Sequence, residues 1–451
     1  MYNDFVVYVS AGGQSTRLYP LTIEFTKAWL DIGNKTPLLL ALRSIASQVP
    51  NLEIYILTQG LNNNIFIPIE LRDGQTIGYG ARIKYVHFYD PRKPPEKRLE
   101  NKSGEGFINF LETYSKEIDD RLILTMNVDN LANFNPINMT KFHREVHNDK
   151  PGVTIGVTEW NNENTISQFG TLKFDESGKV LEFREKSLEP ASNYINTGIV
   201  MFSPKVIELL KGNSLELLDL GGDVIPYLLN NGVSMFAYGH KQLGYDEISN
   251  WVDFGTVESY LKTNGDVLLN RYPWFDYSGY KTLRENILVH KNAIQVVKEA
   301  IERGLLSLSG YVIIGSNPAF YGNKTITIEN AVIGHNVKLG NGAKISGIQQ
   351  NGILYPSVLL DASSVFGAEL TAAIVGYSSS VFSNGKKSQL NPYSVVGNGI
   401  NLSSVVLQPN TRVTSEQNLE TILETNRYNI VHFGDGLVFF SDENQRYNPF
   451  K

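Results

Sequence analysis

The first chemically informative feature of the chain is a turn formed by Ala11, Gly12 and Gly13, which follows a short apolar segment. If that segment is a β-strand, the turn exposes backbone N–H groups with no side chains in front of them, and such a turn can bind phosphate oxygens. Two cations, Arg17 and Lys27, follow ten residues apart. These residue types in this order indicate a site that binds and neutralises a polyphosphate. A plain glycine turn with two solvated side chains is the alternative that a glycine pair alone leaves open.

A second feature is an aspartate, Asp129, that comes just after the apolar segment Leu122–Met126. Ligands of open α/β sheets bind at the carboxyl ends of the strands, where the glycine turn is also expected. A carboxylate there can hold Mg²⁺ against phosphate groups through hard oxygen ligands. Taken alone, Asp129 could equally be a turn or cap residue.

The order of residues around the glycine turn resembles the signature of a known enzyme family. The string A-G-G-x-x-T-R-L-x-P-L-T, then a lysine, then G-N-K-x-P-L, is similar to that of the sugar-1-phosphate nucleotidyltransferases. Within that superfamily it looks most like ADP-glucose pyrophosphorylase and glucose-1-phosphate thymidylyltransferase. It is not the dinucleotide fingerprint, which needs a third glycine. The resemblance implies Mg²⁺-dependent joining of a sugar 1-phosphate to a nucleoside triphosphate, with glucose 1-phosphate and ATP favoured.

The same resemblance implies roles for individual residues near the nucleotide. Arg17 and Lys27 would neutralise the reacting phosphates, and Asp129 would hold the metal together with Asp253, which lies in the string W-x-D-x-G-T. Two carboxylates from distant segments closing on one divalent ion are typical of phosphoryl-type transfer. The residues implied to bind the nucleotide are Ala11, Gly12, Gly13, Gly104 and Gly106, the last two because glycine lets a base approach closely.

By resemblance again, residues 168–202 supply the pocket for the sugar 1-phosphate. The stretch begins with a predicted β-hairpin that turns at Ser177 and Gly178. A glutamate there would accept hydrogen bonds from sugar hydroxyls, and the following lysine would meet the phosphate as a point charge. The residues implied are Gly170, Glu185, Lys186, Asn196 and Thr197.

Three positions depart from the family pattern. Ser15 stands where the phosphate loop usually ends in glycine, Ala28 where proline usually follows the lysine, and Val128 where glycine usually precedes the metal-binding aspartate. A Cβ at Ser15 would crowd a triphosphate if that position needs a positive φ. These departures support a second hypothesis, that the chain is a weakly active or inactive regulatory subunit of such an enzyme. A plain nucleotide-binding module is a third, which the strings around Glu185 and Asn196 disfavour.

Composition excludes several classes of protein. With 42% hydrophobic and 19% charged residues, the 451-residue chain has the make-up of a globular protein, and its net charge of −6 provides no basic surface for nucleic acid. It has no cysteine, which excludes disulfides and thiolate chemistry. Because no apolar run approaches the roughly 20 residues of a membrane span and the N-terminus lacks a signal-peptide pattern, we expect no membrane partner and a cytoplasmic location.

The order of elements predicts an α/β fold in two parts. Apolar strands alternate with helices in residues 1–265, which is typical of a Rossmann-like nucleotidyltransferase domain with a mixed or parallel sheet. Residues 266–325 read as a joining segment with an amphipathic helix over Lys291–Arg303, expected to pack the two domains together.

In residues 326–451 an apolar residue recurs every six positions, as at Ile333, Leu339 and Ile345. This hexapeptide period indicates a parallel β-helix and resembles the left-handed β-helix of ADP-glucose pyrophosphorylases. Such a domain implies a homo-oligomer, dimer or tetramer, or a hetero-oligomer with a related subunit. A histidine in this region, His335, leaves an acyltransferase open as a minor alternative.

Overall fold

The structure is a computed structural model that describes residues 4–11, 15–58, 67–69, 71–88, 102–128, 130–213, 216–240, 247–425, 427–434 and 436–442. Gly12, Gly13 and Asp129, three of the predicted site residues, lie outside the described residues. Within the described ranges no helix combines the length and the apolar character needed to cross a membrane.

Contacts within the chain divide it into two compact units. The first contains Met1–Gly13 and Pro37–Asp253, and the second contains Gln14–Thr36 and Phe254–Lys451. The segment Gln14–Thr36, which carries Arg17 and Lys27, therefore belongs to the same unit as the C-terminal half of the chain. These units and the predicted domains are different divisions, since the prediction placed every residue up to 265 in one domain.

The first unit is built on a mixed nine-stranded sheet with the strand order β10-β6-β9-β4-β1-β2-β3, with β7 and β8 attached at β9. The strand β9 runs antiparallel to both of its neighbours, whereas β1 is parallel to β2 and β4. The strands are β1 Phe5–Ser10, β2 Glu53–Leu57, β3 Arg82–Val86, β4 Leu122–Asn127, β5 Asn130–Asn133, β6 Gly152–Glu159, β7 Thr171–Phe174, β8 Val180–Arg184, β9 Tyr194–Phe202, β10 Ser234–Tyr238 and β11 Ser249–Asp253.

Helices cover this sheet because their apolar faces match its buried strands. Val6, Tyr8 and Tyr55 of the sheet share one core with Phe107 and Phe110 of the second helix. The α-helices that lie wholly within the described ranges are α1 Pro37–Ala46, α2 Ser103–Ile118, α3 Pro136–His147, α4 Ile207–Leu210, α5 Ile225–Asn230, α6 Val257–Leu268, α7 Ile294–Glu302 and α8 Leu419–Glu424. The alternation of strands and helices predicted for this part of the chain is confirmed.

Short parallel strands make up most of the second unit. Its strands are β12 Tyr280–Arg284, β13 Ile287–His290, β14 Leu306–Ile314, β15 Ala319–Tyr321, β16 Ile326–Ile333, β17 Lys338–Gly340, β18 Lys344–Ser346, β19 Ile348–Gln350, β20 Ile353–Tyr355, β21 Ser357–Leu359, β22 Ser364–Phe366, β23 Glu369–Thr371, β24 Ile374–Val375, β25 Ser380–Phe382, β26 Gln389–Leu390, β27 Val395–Val396, β28 Asn401–Ser403, β29 Val406–Leu407, β30 Arg412–Ser415, β31 Tyr428–Gly434 and β32 Leu437–Asp442.

The six-residue period has a structural counterpart in this unit. Each of the three apolar residues that are six apart lies in its own column of paired residues, and from these three residues onward the columns are buried in one core. The columns are Ile333-Leu359-Val375-Val396-Val413, Leu339-Val365-Val381-Leu402 and Ile345-Leu370-Leu390-Leu407. The parallel pairing begins with Ile287–His290, ahead of residue 326.

Two local predictions in this region can be compared with the structure. The helix expected over Lys291–Arg303 is present as α7, and its Val297 and Ala300 join the core of the second unit. The second prediction follows from the six-residue period itself, which is interrupted around Gln349–Gly352 and so predicts a projecting loop there; in the structure this segment forms the hairpin of β19 and β20. Asn351 and Gly352 have φ values of 50° and 77°, the left-handed conformation that two-residue hairpin turns need.

Candidate active site

The end of β1 lies where the sequence predicts a phosphate-binding turn. Ala11 is fully buried and donates its N–H to the carbonyl of Leu57 at 3.1 Å, which ties the strand end to β2. The strand is flanked on its other side by β4, whose sequence leads toward Asp129. A strand with a parallel neighbour on each side is held firmly up to its last residue, so the chain that follows starts from a fixed point.

The residues predicted for the sugar 1-phosphate come together through backbone hydrogen bonds. The carbonyl of Gly170 accepts from the N–H of Asn196 at 2.7 Å, and the carbonyl of Phe169 accepts from the N–H of Lys186 at 3.1 Å. The predicted hairpin between them is confirmed as β7 and β8, with Gly178 at a φ of 83° in the turn.

Thr197 has a structural place in this group. Its side chain is fully buried, and its hydroxyl donates to the carbonyl of Gly156 at 2.8 Å. Asn196 accepts the N–H of Gly198 on its Oδ1 at 2.9 Å, which fixes the orientation of the amide.

The carboxylate of Glu185 lies against two glycines. A Cβ added to Gly170 would come within 2.5 Å of Glu185 Oε2, and one added to Gly221 within 2.9 Å. The space that the carboxylate fills therefore exists because both positions lack a side chain. Lys186 Nζ lies 3.1 Å from Glu185 Oε1, and the lysine side chain is 63% exposed against 21% for the glutamate.

The setting of Glu185 changes its acidity. Burial raises the pKa of the Glu185 carboxyl, the neighbouring Lys186 opposes that rise, and the charge of Asp219 adds to it. A mostly buried carboxylate beside an exposed ammonium can accept hydrogen bonds from hydroxyl groups while the ammonium binds an anion. This pairing suits a ligand with neighbouring hydroxyl and phosphate groups.

A turn that the sequence motifs do not include lies next to Glu185. It is the π-helical turn Leu220–Val224, which contains Gly221. Asp219 holds the turn, because its carboxylate accepts from the N–H of Gly222 at 2.7 Å and from the hydroxyl of Ser103 at 3.0 Å. A pair of glycines between two aspartates, at 219–223, was the signal available in the sequence.

The same turn explains Gly104. The N–H of Gly104 donates to the carbonyl of Leu218 at 2.8 Å, and a Cβ on Gly104 would lie 2.6 Å from the carbonyl oxygen of Leu217. Glycine is needed at the start of α2 because the backbone of residues 217–219 packs directly on it. Gly106 is buried in the same helical turn. Contact of these two glycines with a nucleotide base stays a prediction.

Aromatic side chains support the strand that carries Asp253. The rings of Trp160, Phe169 and Trp251 contact one another edge to face, with centroids 5.0 to 5.8 Å apart. Trp251 also donates its indole N–H to the carbonyl of Thr197 at 2.9 Å. This hydrogen bond joins β11, two residues before Asp253, to β9, the strand that carries Asn196 and Thr197.

The strands β5 and β11 form a separate two-stranded antiparallel sheet, in which Asp253 at the end of β11 pairs with Asn130, the residue that follows Asp129 in the sequence. Asp253 is half-buried, and its carboxylate offers the hard oxygen donors that Mg²⁺ prefers. No cluster of three or more metal-binding side chains occurs among the described residues, a set that does not include Asp129. The donor chemistry at the end of β11 thus fits a divalent ion that completes its ligands from phosphates and water.

Residues 14–36, called the cationic segment here because they carry Arg17 and Lys27, belong to the second unit. Arg17 lies in a 3₁₀ turn, Thr16–Leu18, and Lys27 begins another, Lys27–Trp29. Ser15 precedes the first turn with a φ of 50°, the left-handed conformation in which glycine is favoured. Ala28 is fully buried. The departure at Ser15 therefore falls at a position whose backbone conformation suits the family's usual glycine.

His335, the residue behind the acyltransferase alternative, is engaged in the parallel strand region. Its ring nitrogen Nδ1 accepts a hydrogen bond from the backbone N–H of Ser316 at 2.8 Å. The backbone N–H of His335 donates to the carboxylate of Asp361 at 2.7 Å. These contacts give it a role in joining successive strands, and no observation favours the acyltransferase alternative.

Comparison with protein families places the chain in a class. Residues 8–269, more than half of the chain, match the nucleotidyl transferase family. The chain belongs to that family, and the resemblance drawn from its motifs is confirmed. The match includes the end of β1 from Tyr8 onward, Glu185 and Asp253.

Individual relatives extend the comparison. The glucose-1-phosphate adenylyltransferase of Clostridium novyi is 26% identical over 381 residues, 80% of this chain and 84% of the relative. That of Clostridium botulinum strain Eklund 17B is 30% identical over 282 residues, 59% of this chain and 66% of the relative. A solved structure from Bacillus anthracis, described as a glucose-1-phosphate thymidylyltransferase in complex with sucrose, is 21% identical with a TM-score of 0.45, over 58% of this chain and 94% of that one.

Proposed function

We propose that the protein joins a sugar 1-phosphate to a nucleoside triphosphate, giving a nucleotide sugar and pyrophosphate, with glucose 1-phosphate and ATP as the preferred pair. The observation that carries the proposal is the Glu185–Lys186 pair, a buried carboxylate and an exposed ammonium whose nitrogen and oxygen are 3.1 Å apart, in a chain of the nucleotidyl transferase family. The names of the curated relatives support the choice of glucose 1-phosphate and of an adenylyl group.

The sugar 1-phosphate would be bound by the residues grouped around Gly170. Glu185 accepts hydrogen bonds from sugar hydroxyls, and Lys186 binds the phosphate at the exposed edge of the pair. Asn196, held by its hydrogen bond to Gly170, offers a further polar group beside them. Binding fixes the sugar phosphate so that one of its oxygens faces the incoming triphosphate, which removes much of the entropic barrier.

The reaction is a displacement at the α-phosphorus of the triphosphate. A phosphate oxygen of the sugar 1-phosphate forms a bond to that phosphorus, and the bond from the phosphorus to the β-phosphate oxygen breaks with its electron pair, so that pyrophosphate leaves. The attacking phosphate is an anion at neutral pH, so no general base is required. Arg17 would neutralise charge on the leaving pyrophosphate, and Lys27 would lie near the reacting phosphates.

A Mg²⁺ ion held by Asp129 and Asp253 would supply further neutralisation of phosphate charge when bound. The half-buried carboxylate at the end of β11 supports this assignment. We expect Asp129→Asn to abolish turnover while leaving the fold intact. Near-normal turnover of that variant with Mg²⁺ would contradict the metal assignment.

A regulatory or weakly active subunit is the second candidate, and Ser15 is the observation that favours it. The residue has a left-handed backbone conformation and a side chain where the family usually has glycine. Such a subunit would bind the same sugar phosphate or nucleotide and act on a catalytic partner. Arg17, Lys27, Asp129, Lys186 and Asp253 are all retained, which supports the enzyme over the subunit.

The proposal includes the architecture of the second unit. Its three columns of paired apolar residues support a left-handed parallel β-helix. A homo-oligomer, a hetero-oligomer with a related subunit and a cytoplasmic location stay predictions. Light scattering of the purified chain would test the first of them.

Pyrophosphate release from the purified chain tests the proposed function. The panel is ATP, dTTP, UTP and GTP, each with Mg²⁺ and glucose 1-phosphate or another sugar 1-phosphate. Turnover with ATP and glucose 1-phosphate is the expected result. A folded chain that is silent across the panel would overturn the enzyme and leave the regulatory subunit as the remaining candidate.

A further inference from the structure

Side chains from the C-terminal strands hold the backbone of the segment that carries Arg17 and Lys27. Asn398 donates to the carbonyl of Leu21 at 3.1 Å, and the hydroxyl of Tyr377 donates to the carbonyl of Trp29 at 2.7 Å. Both contacts lie within the second unit. They join positions more than 340 residues apart in the sequence. The conformation of the segment therefore depends on residues near the other end of the chain.

Arg412 makes the contact nearest to Arg17. It begins β30, and only 2% of its surface is exposed. Its Nη1 lies 3.0 Å from the carbonyl oxygen of Arg17 and 2.7 Å from that of Tyr19. A buried guanidinium needs such acceptors, because an unsatisfied charge inside a protein is strongly unfavourable. The hydrogen bonds to Arg412 therefore hold the two carbonyls in place.

Tyr428 completes this contact. Its hydroxyl oxygen lies 2.8 Å from Arg412 Nη1 and donates to the carbonyl of Thr16, and the guanidinium lies 5.0 Å from the centre of its ring. Tyr428 also packs with Tyr19 and Phe440 in a small buried cluster. The carbonyls of residues 16, 17 and 19 are thus all bound by one arginine and one tyrosine.

We propose that Arg412 is a positioning residue for Arg17. Binding the carbonyl of Arg17 and that of Tyr19 fixes the backbone that carries the Arg17 side chain. The inference rests on the proposed function, in which Arg17 neutralises the leaving pyrophosphate. A lysine at 412 would keep the charge but lose the planar guanidinium, which presents several donors in fixed directions.

Steady-state kinetics of Arg412→Lys test the proposal. Because displacing a reacting group by about 1 Å can cost on the order of 100-fold, we expect kcat to fall about 10- to 100-fold. The KM for the sugar 1-phosphate should change by no more than about twofold, since Glu185 and Lys186 bind it. The matched control is Arg284→Lys, because Arg284 also donates to a backbone carbonyl of the second unit, that of Leu308, outside the cationic segment. The control should leave kcat unchanged.

A double variant separates positioning from a general effect on the fold. In an Arg17→Ala background, Arg412→Lys should lower kcat no further, because the side chain that it positions is gone. Losses that multiply would overturn the proposal. Tyr428→Phe, which removes only the hydroxyl, should lower kcat in the same direction by a smaller factor, and an unchanged kcat would also count against the proposal.

Hydrogen exchange gives a readout that does not depend on catalysis. The amides of Leu18, Tyr19 and Leu21 donate within the turn, and we expect Arg412→Lys to raise their exchange rates at least tenfold, as local opening becomes easier. Amides of β2 should keep their protection. Unchanged exchange at the turn would overturn the proposal. A wild-type chain without turnover would instead overturn the proposed function, and the exchange rates would still decide whether Arg412 anchors the turn.

Discussion

At the scale of single residues, Gly170 and Glu185 show how the absence of one side chain leaves space for the carboxylate of another. The atom nearest to a Cβ at Gly170 is the far end of the Glu185 side chain, which can rotate away. We therefore expect Gly170→Ala to displace the carboxylate and to shift the ring of Phe183, whose Cζ would lie 2.9 Å from the new Cβ, at a small cost in stability. The KM for the sugar 1-phosphate should rise about tenfold, which corresponds to the loss of about one charge-assisted hydrogen bond. Thermal unfolding and steady-state kinetics of the same preparation would measure both effects.

The control for this prediction is the same Gly170→Ala substitution made in a Glu185→Ala variant. Once the carboxylate is absent, a methyl group at position 170 has only the ring of Phe183 to shift, whose Cζ would lie 2.9 Å away, so Gly170→Ala should add no further rise in KM. A rise of equal size in both backgrounds would show that Gly170 affects binding by a route that does not involve Glu185.

For Ser15, removal of the side chain is predicted to raise activity and to maintain or raise stability, not to lower them. A residue other than glycine pays about 1 to 2 kcal/mol in the left-handed region, partly offset in a glycine variant by the greater freedom of the unfolded chain. We expect Ser15→Gly to leave stability equal or raised by about 1 kcal/mol. It should also raise kcat if the Cβ crowds the triphosphate. Urea unfolding and pyrophosphate release would measure the two, and a fall in both would show that the serine side chain has a positive role.

At the scale of elements, the helix α3 carries two histidines that control stability toward acid. His143 is fully buried between the hydroxyls of Thr154, at 2.8 Å, and Ser203, at 2.9 Å. His147 is one turn further along α3, with the ring centres 4.4 Å apart. Burial lowers the pKa of His143 to about 3 and that of His147 to about 4, and for His143 the neighbouring His147 and Arg144 add to the effect.

The sign of the pH dependence follows from these shifts. Both pKa values lie below the value of 6.5 expected in the unfolded chain, so the unfolded state takes up protons first as the pH falls. Stability is fully present above pH 6.5 and is lost as the pH falls toward 4. At about 1.4 kcal/mol per pH unit for each histidine, the free energy of unfolding should drop by about 4 kcal/mol between about pH 7 and 5.

Urea unfolding at the two pH values, with His147→Gln as the comparison, checks this prediction. The variant keeps a side chain that can hydrogen-bond but cannot be protonated, so the loss of stability between the two pH values should be about half that of the wild type. Equal losses in the two proteins would show that His147 does not contribute.

Elements formed by neighbouring residues were predictable, and contacts between distant elements were not. The hairpin at Gly178 and the helix α7 follow from local signals, a turn glycine and an amphipathic period. The contact of Gly104 with the backbone at Leu217 could not be predicted, because no local pattern links residues that are 113 positions apart. The motif strings name Glu185 and Asn196 together, and backbone hydrogen bonds bring their segments to residues 169 and 170, but the turn around Gly221 has a weaker signal.

At the scale of the whole molecule, each of the two compact units is made of two separate stretches of the sequence. Residues 14–36 are part of the second unit, so the cationic segment belongs in space with strands that begin beyond residue 280. Hydrophobic periodicity reports only which face of an element is buried, and it carries no information about which distant element covers that face. This is why the sequence placed Arg17 and Lys27 in the first domain and left Arg412 unremarked.

A chain that ends at residue 269, where the family match ends, tests this division. It keeps Arg17 and Lys27 but lacks Tyr377, Asn398 and Arg412, which bind the backbone of their segment. The apolar core that contains Tyr8 and Phe107 lies wholly within the first unit, so its sheet amides should stay protected from exchange. We expect the amides of residues 16–35 to exchange rapidly and pyrophosphate release to be lost, because the cations are no longer held in one conformation. A chain that ends at residue 442 is the control and should behave as the full chain does. If the shorter chain kept its turnover, the second unit would be dispensable for catalysis, and the hydrogen bonds to the cationic segment would serve stability alone.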